Sequence, residues 1–524
     1  MLPAMIVEVA SLITRFILAL LVISISTIAY RLFFHPLAPV PGPRLAAISN
    51  AWYAYHARNG DMLRIGKMLH KQYGSAVRVS PNEVWFDSKE AFAKIYSATQ
   101  SYDKSDFYLA TSLNRPKFDT ALKLSVPDSL DLLSERDMDR YRLQRRLIGP
   151  LYSMHNIQKF EKAVDDVLAK VVVQLKDING AELDFKMWMH IIAVECLSAI
   201  VLSYSPGYLK AKNDFGSSHH AYLNWRRKSV FGLFRWAVIA ESYSKTTGRW
   251  FARLWRVTFV TPAPFKPFFT PVYSKITKRI IAALRPRPPK DDRLDLMADL
   301  IELHKEKPEF TLTYLKRMAM TNFGAGHETT TSALISAVSM IASKPSVRSR
   351  VVSEVQSEAH VHITIAYADA VGLTYTQAAI REAQRLYPVL GMSPSRTVPV
   401  GGLQVHGLCF PPGIRVGCNP VSLHRSPDIF GEDANEYRPE RWFNSEATRD
   451  MERFNLTWGG GARTCPGRNL AQLILYKVVP VLFKEFDVQI TSLPKDEEVK
   501  YYFMAMLTEV RARFVPRGSP QGSE

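Results

Sequence analysis

The sequence predicts a mainly α fold with small β-sheets, built as a single domain behind an N-terminal transmembrane helix. Three observations carry this. Residues 2–34 form an almost wholly apolar run. Helical periodicity recurs from Asp61 onward and includes one uninterrupted stretch, Thr311 to Lys344. Strand signals are short and scattered. A chain of 524 residues would by length alone suggest about three domains. No flexible linker, repeat or low-complexity tract divides it, so one domain is expected over 45–524.

The membrane segment is assigned to residues 1–34. Glu8 and Arg15 interrupt it, and the clean stretch from Phe16 to Tyr30 falls short of the roughly 20 residues that span a bilayer. Extended back toward Ile6 it spans, with Arg15 snorkelling to the interface. No small-residue cleavage site follows, which disfavours a removed signal peptide. Glu8 precedes the stretch while Arg31 and Arg44 follow it, so the positive-inside rule places the bulk of the chain in the cytosol. Residues 35–44 hold Pro36, Pro39, Pro41 and Pro43, which rule out helix and predict a stiff extended hinge.

Beyond the hinge, Asp61 to Tyr73 reads as an amphipathic helix. Ala76 to Phe86 reads as a hairpin turning at Pro81-Asn82. Residues 101–135 lack periodicity and are expected to form a long loop. Arg136 to Leu202 is helical, 204–260 holds short helices, and Arg285 to Pro289 is a surface loop. Pro345 ends the long helix that starts at Thr311. Helices and short strands alternate from there to the end.

Composition is that of a globular protein, 47% hydrophobic and 22% charged. The net charge of +18 is spread along the chain, without the dense basic runs and interleaved aromatics of a nucleic-acid surface. It fits an anionic membrane surface or an acidic protein partner. Cys196, Cys409, Cys418 and Cys465 form no close pairs, which excludes a clustered metal site or a disulfide scaffold and indicates a reducing compartment. Asn455-Leu456-Thr457 is a glycosylation sequon that cytosolic topology leaves unused.

Chemistry concentrates in a few motifs. Residues 458–467 read Trp-Gly-Gly-Gly-Ala-Arg-Thr-Cys-Pro-Gly. Glycines such as Gly459 and Gly467 let a large ligand approach the backbone. A helix predicted over Asn469–Phe486 would aim its N–H groups toward Cys465 and favour a thiolate there, suited to binding a metal. In the long helix, Gly324, Gly326 and the run Thr329-Thr330-Thr331 each work against helix formation. Two readings explain them: a flat cofactor lying on the backbone with room for dioxygen, or a close helix crossing. Glu382 and Arg385 share a helix face, and Tyr437 to Trp442 supplies a later partner, Arg438 or Arg441. His360 and His362 lack a third ligand nearby and read as surface residues.

The cysteine loop resembles the haem-binding loop of the cytochrome P450 monooxygenases, with Trp458 where most members have Phe. The resemblance extends through Ala325 to Thr330, Glu382 to Arg385, and Tyr437 to Trp442, where Arg441 fits best. The hinge is similar to that of ascomycete microsomal members. The implied fold is that of the family. The implied cofactor is heme b, its iron held by Cys465, with Arg145, Arg396 and Arg463 as propionate donors beside Gly459 and Gly467. Tyr141 stands where Trp or His is usual. Thr329 is the implied hydrogen-bond donor to dioxygen and Glu328 the acid of the proton path; His327 receives no role.

The implied activity inserts one atom of O2 into a lipophilic small molecule, in a fungal terpenoid or polyketide pathway. Electrons would come from NADPH through a separate NADPH–cytochrome P450 reductase, with cytochrome b5 as a second donor, at the endoplasmic reticulum membrane. The expected substrate pocket draws on 101–125, 215–245, Met320, Phe323, Val389 to Met392 and Phe503 to Met506. Two alternatives stand beside this reading: an isomerase or peroxygenase on the same fold that needs no reductase, and a non-enzymatic haem- or lipid-binding membrane protein.

Overall fold

A computed structural model describes residues 2–97, 102–126, 128, 130–261, 263, 265–357, 363–496 and 498–518. His360 and His362 lie outside them. The first helix runs Leu2–Ala29 and passes through a π turn, Tyr30–Phe34. Its segment Ala10–Phe34 has a mean hydropathy of 2.3 and none of it is buried, so it is long and apolar enough to cross a membrane. The equally apolar Phe185–Leu202 helix is instead packed inside the protein. Length and composition alone do not separate the two cases; burial does.

The hinge is not a free spacer. Leu37 and Val40 are buried in the smaller of two hydrophobic clusters. The Arg78 guanidinium donates to the carbonyls of Arg31, Leu37 and Pro81. Gly42 lies so close to Arg78 that a Cβ there would stand 2.4 Å from its carbonyl oxygen. These contacts tie the end of the anchor to the first sheet.

That sheet is small and mixed. Strands Ala76–Ser80 and Glu83–Phe86 form the expected hairpin, joined by Arg415–Cys418 in parallel and then by Arg396–Thr397. Strands Leu183–Asp184, Phe486–Ser492 and Arg511–Pro516 form a second sheet, and Leu403–Val405 pairs with Leu408–Phe410. Helices make up the rest. The predicted loop 101–135 contains a 3-10 helix, Asp106–Thr111. The predicted helical region 136–202 is broken into Met138–Ile148, Met154–Gln158, Glu161–Ile178 and Phe185–Leu202. Gly149-Pro150 and the left-handed pair Asn179-Gly180 make the main breaks.

The long helix runs Leu312–Ser343, with the Thr311 hydroxyl capping it by accepting from the Tyr314 N–H. It packs along Phe185–Leu202, Thr374–Leu386 and Arg468–Glu485, so it forms the axis of the larger core. Its two glycines are spent on packing. A Cβ on Gly326 would meet Leu197 Cδ2 at 2.9 Å, and one on Gly324 would meet Leu113 Cδ2 at 2.4 Å. A close helix crossing explains Gly326, whereas Gly324 accommodates Leu113 from an irregular segment, and both also border the central cavity.

Glu382 and Arg385 are fully buried and paired at 2.7 Å. Arg441 Nε donates to Glu382 Oε1 at 3.1 Å, and Trp442 Nε1 to Oε2 at 3.0 Å. Arg385 also donates to the carbonyls of His424, Ala434 and Glu436. Arg438 turns to Asp433 and gives Glu382 only its backbone N–H. Glu382→Ala leaves two buried guanidinium groups short of their counter-charge, an expected loss of about 3–5 kcal/mol. Arg438→Ala, at a half-exposed pair, should cost under about 1 kcal/mol. Urea denaturation of both variants checks the contrast.

Candidate active site

A mostly apolar cavity opens between the long helix and the cysteine loop. Its walls include Glu328, Thr329, Arg396, Gly459, Arg463, Cys465 and Gly467, so seven of the eight residues singled out from sequence meet there. Arg145 does not line it. It stands partly exposed on the Met138–Ile148 helix, near enough for its charge to act on Cys465.

The cysteine loop is held by its own backbone. Cys465 N–H donates to the Trp458 carbonyl at 2.8 Å. Gly461, at φ +60°, passes so near Tyr96 that a Cβ would stand 2.2 Å from its carbonyl oxygen, which requires glycine there. The helix Arg468–Glu485 starts three residues after the cysteine, and the Gly467 N–H bonds the sulfur. Cys465 is enclosed by protein, yet its side chain lies open because it faces the cavity and not bulk water. Burial pushes its thiol up, while the Gly467 N–H and the charges of Arg145, Arg468 and Lys104 pull the other way. Cys196 and Cys418 are buried away from this space and Cys409 sits on a surface hairpin. Cys465 is thus the one cysteine of the four that reaches the cavity.

Three cations are buried together at one side. Arg463 stacks on the Tyr141 ring at 4.0 Å and donates to the carbonyls of Glu135 and Arg136. Arg396 donates to Pro394 and Ser395 carbonyls. Lys104, which sequence reasoning missed inside an unstructured-looking segment, donates to Leu132 and Leu133 carbonyls beside the Tyr108 ring. Burial, then repulsion from Arg463 and Arg396, holds the Lys104 ammonium well below its usual range. Burial and Arg396 bring Arg463 down to about 10. Gathering buried cations costs energy unless an anion joins them. A dianionic group with a flat apolar body fits this side of the cavity, and the two propionates of a haem are such anions.

On the opposite wall, Thr329 Oγ1 donates to the Ala325 carbonyl at 2.6 Å. Beside it, Glu328 is 1% exposed and neither carboxyl oxygen has a hydrogen-bond partner. His327 is turned out of the cavity, its Nδ1 2.6 Å from the Phe323 carbonyl and its ring against Phe268 and Phe269. Of the residues expected on the substrate side, Met320 and Phe323 do not line the space, and Phe323 packs on Phe268. Met318, Thr321 and Asn322 line it instead, with Trp225, Val389, Leu390, Phe503 and Met504. Asn322 accepts from the Tyr152 hydroxyl at 2.6 Å, a polar pair within an otherwise apolar wall.

A helical domain that arranges a cavity-facing thiol, a cation cluster and an acid–hydroxyl pair around one apolar space is laid out as a haem-thiolate oxidoreductase. The comparisons agree. The family model described as Cytochrome P450 matches residues 41–514. The cytochrome P450 monooxygenase sdnT of Sordaria araneosa is 56% identical over 538 residues, covering 97% of this chain and 96% of that protein. The cytochrome P450 monooxygenase cicH of Emericella nidulans is 26% identical over 522 residues, covering 97% and 99%. A pisatin demethylase of Fusarium vanettenii is 28% identical over 486 residues, covering 90% of each. This chain belongs to the cytochrome P450 family and is an enzyme of its monooxygenase class. Membership implies a haem held through a thiolate, redox partners, and lipophilic substrates in general.

Burial raises the Glu328 carboxyl from 4.5 to about 8, with Lys186 opposing and Asp214 reinforcing the shift. The folded chain keeps a proton that the unfolded chain has lost between about pH 4.5 and 8, so stability falls as pH rises through that window. Glu328→Gln removes this titration. Its stability advantage over the parent should be smallest near pH 4.5 and grow up to about pH 8, by up to about 1.4 kcal/mol per pH unit, read as a widening gap in melting temperature. Parallel melting curves across that range would show that the carboxyl is not desolvated.

Proposed function

We propose that this enzyme inserts one oxygen atom of O2 into a lipophilic small molecule of terpenoid or polyketide type in a fungal secondary-metabolite pathway. Its electrons come from NADPH through a separate reductase, with cytochrome b5 as a second donor. The observation that carries the reading is the opposition, across one apolar cavity, of Cys465 and the Glu328–Thr329 pair. Bound haem would supply the activation of dioxygen, and thiolate ligation favours O–O cleavage.

The chain's own residues take the remaining roles. Cys465 would hold the haem iron through its sulfur, and the Gly467 N–H and the helix start behind it stabilise negative charge there. Arg396, Arg463 and Lys104 would hold the propionates, with Arg145 adding positive charge from outside the wall. Gly459, at φ +78°, makes the turn that brings the cysteine loop to the cavity wall, where it would border the cofactor. Glu328 arrives protonated at neutral pH and passes its proton toward the cavity, where the Thr329 hydroxyl orients the acceptor. Val389, Leu390 and Phe503 exclude water and bind the apolar body of the substrate, and the Tyr152–Asn322 pair offers one polar anchor. The unburied segment Ala10–Phe34 anchors the chain in the endoplasmic reticulum membrane, with the catalytic domain over 45–524 in the cytosol and residues 35–44 as the hinge.

Two measurements test this. Reduced protein under carbon monoxide should show the red-shifted Soret absorption of thiolate-ligated haem, and Cys465→His should lose it while keeping haem; a normal band in the parent protein overturns the assignment. With reductase present, Thr329→Ala should cut product formed per NADPH consumed by roughly tenfold or more. Turnover supported by peroxide alone and unaffected by reductase would favour the peroxygenase alternative.

A further inference from the structure

His327, left without a role by the proposed reaction, faces a second histidine. The rings of His327 and His190 lie 5.8 Å apart, between the long helix and the Phe185–Leu202 helix. One nitrogen of each ring already faces an oxygen. His327 Nδ1 is 2.6 Å from the Phe323 carbonyl, and His190 Nδ1 is 3.1 Å from Asp214 Oδ2. A proton on His327 Nδ1 satisfies the Phe323 carbonyl and leaves its Nε2 a free lone pair, while His190 Nδ1 faces Asp214 without an aligned hydrogen bond.

A carboxylate completes the group. Glu328 Oε1 stands 4.0 Å from His327 Nε2. One ligand atom from each of His190, His327 and Glu328 lies within 4.8 Å of the others. The three residues are 0%, 3% and 1% exposed, and both Glu328 oxygens and both His190 ring nitrogens have no hydrogen-bond partner. Buried polar atoms of this kind call for a water or an ion. The adjacent cation, Lys186, lies over the Tyr222 ring at 4.5 Å and makes no ion pair with Glu328 among the described residues.

We propose that His190, His327 and Glu328 form a second metal site, which shares only Glu328 with the wall of the Cys465 cavity, for one divalent cation of zinc type. Two imidazoles and a carboxylate are a donor set that zinc accepts, with a fourth position left for water. Asp214 and the Phe323 carbonyl act as the outer acceptors that fix the ligating tautomers. Tetrahedral zinc with bonds of about 2.0–2.1 Å needs ligand atoms roughly 3.3 Å apart, so the three side chains close inward on binding. Glu328 and Asp214 offset the two charges of the cation, and Lys186 limits its affinity. Metal at this site takes Glu328 out of proton delivery, a consequence that rests on the role given to Glu328 above. Binding itself does not.

The test reads binding without turnover. Haem-loaded full-length protein in detergent is stripped with a chelator, incubated with zinc chloride, and passed through gel filtration. Zinc and iron are then counted by mass spectrometry, and the zinc absorption edge gives the ligand shell. The expected result is one zinc per chain with nitrogen and oxygen ligands. In His190→Asn and His327→Gln, retention should fall at least tenfold with haem content unchanged. No retained zinc would mean that water satisfies these atoms and overturns the site. Undiminished zinc in both variants places the metal elsewhere and overturns it equally. If His190→Asn fails to fold, His327→Gln decides alone.

Discussion

Charge held without water is the constraint on which this structure depends. Lys104, Arg396 and Arg463 sit together in a space that excludes solvent, and Cys465 and Glu328 face the same cavity. Each would be costly there alone. The fold answers by surrounding the cations with backbone carbonyls and by placing a helix start and an N–H behind the sulfur. The remaining imbalance, cations on one side and a thiol on another, is what gives the cavity its preference for an anionic, metal-bearing ligand.

The buried Glu382–Arg385–Arg441 group solves the same problem by the opposite route. Every charge there has its partner within the protein, and the spare Arg385 N–H groups reach three carbonyls from two separate segments. It joins the Thr374–Leu386 helix to the segment that leads into the cysteine loop. The two clusters differ in function because one is internally satisfied and the other is not.

The long helix connects these regions. Its glycines accept Leu197 and Leu113 from neighbouring elements, which brings its backbone close enough for Thr329 and Glu328 to border the cavity. Helix phase then sorts consecutive residues: Thr329 faces the cavity, while His327 faces the Phe185–Leu202 helix. Glu328, between them, touches both environments.

Much was legible in the linear chain. Local rules determined the long helix and its ends, the hairpin turn at Pro81-Asn82, the apolar first segment, and the family-specific spacing around Cys465, because each depends on residues a few positions apart. Tertiary structure alone decided the rest. Lys104 enters the site only because an irregular segment folds back onto Arg396. Met320 and Phe323 leave it because packing fixes the rotation of a helix apolar on most sides. His190 meets His327 across 137 positions of sequence through the packing of two helices. Spacing encodes a contact when the backbone between its partners is regular; where loops and helix rotations intervene, only the packed core, through burial and excluded volume, settles which side chains meet.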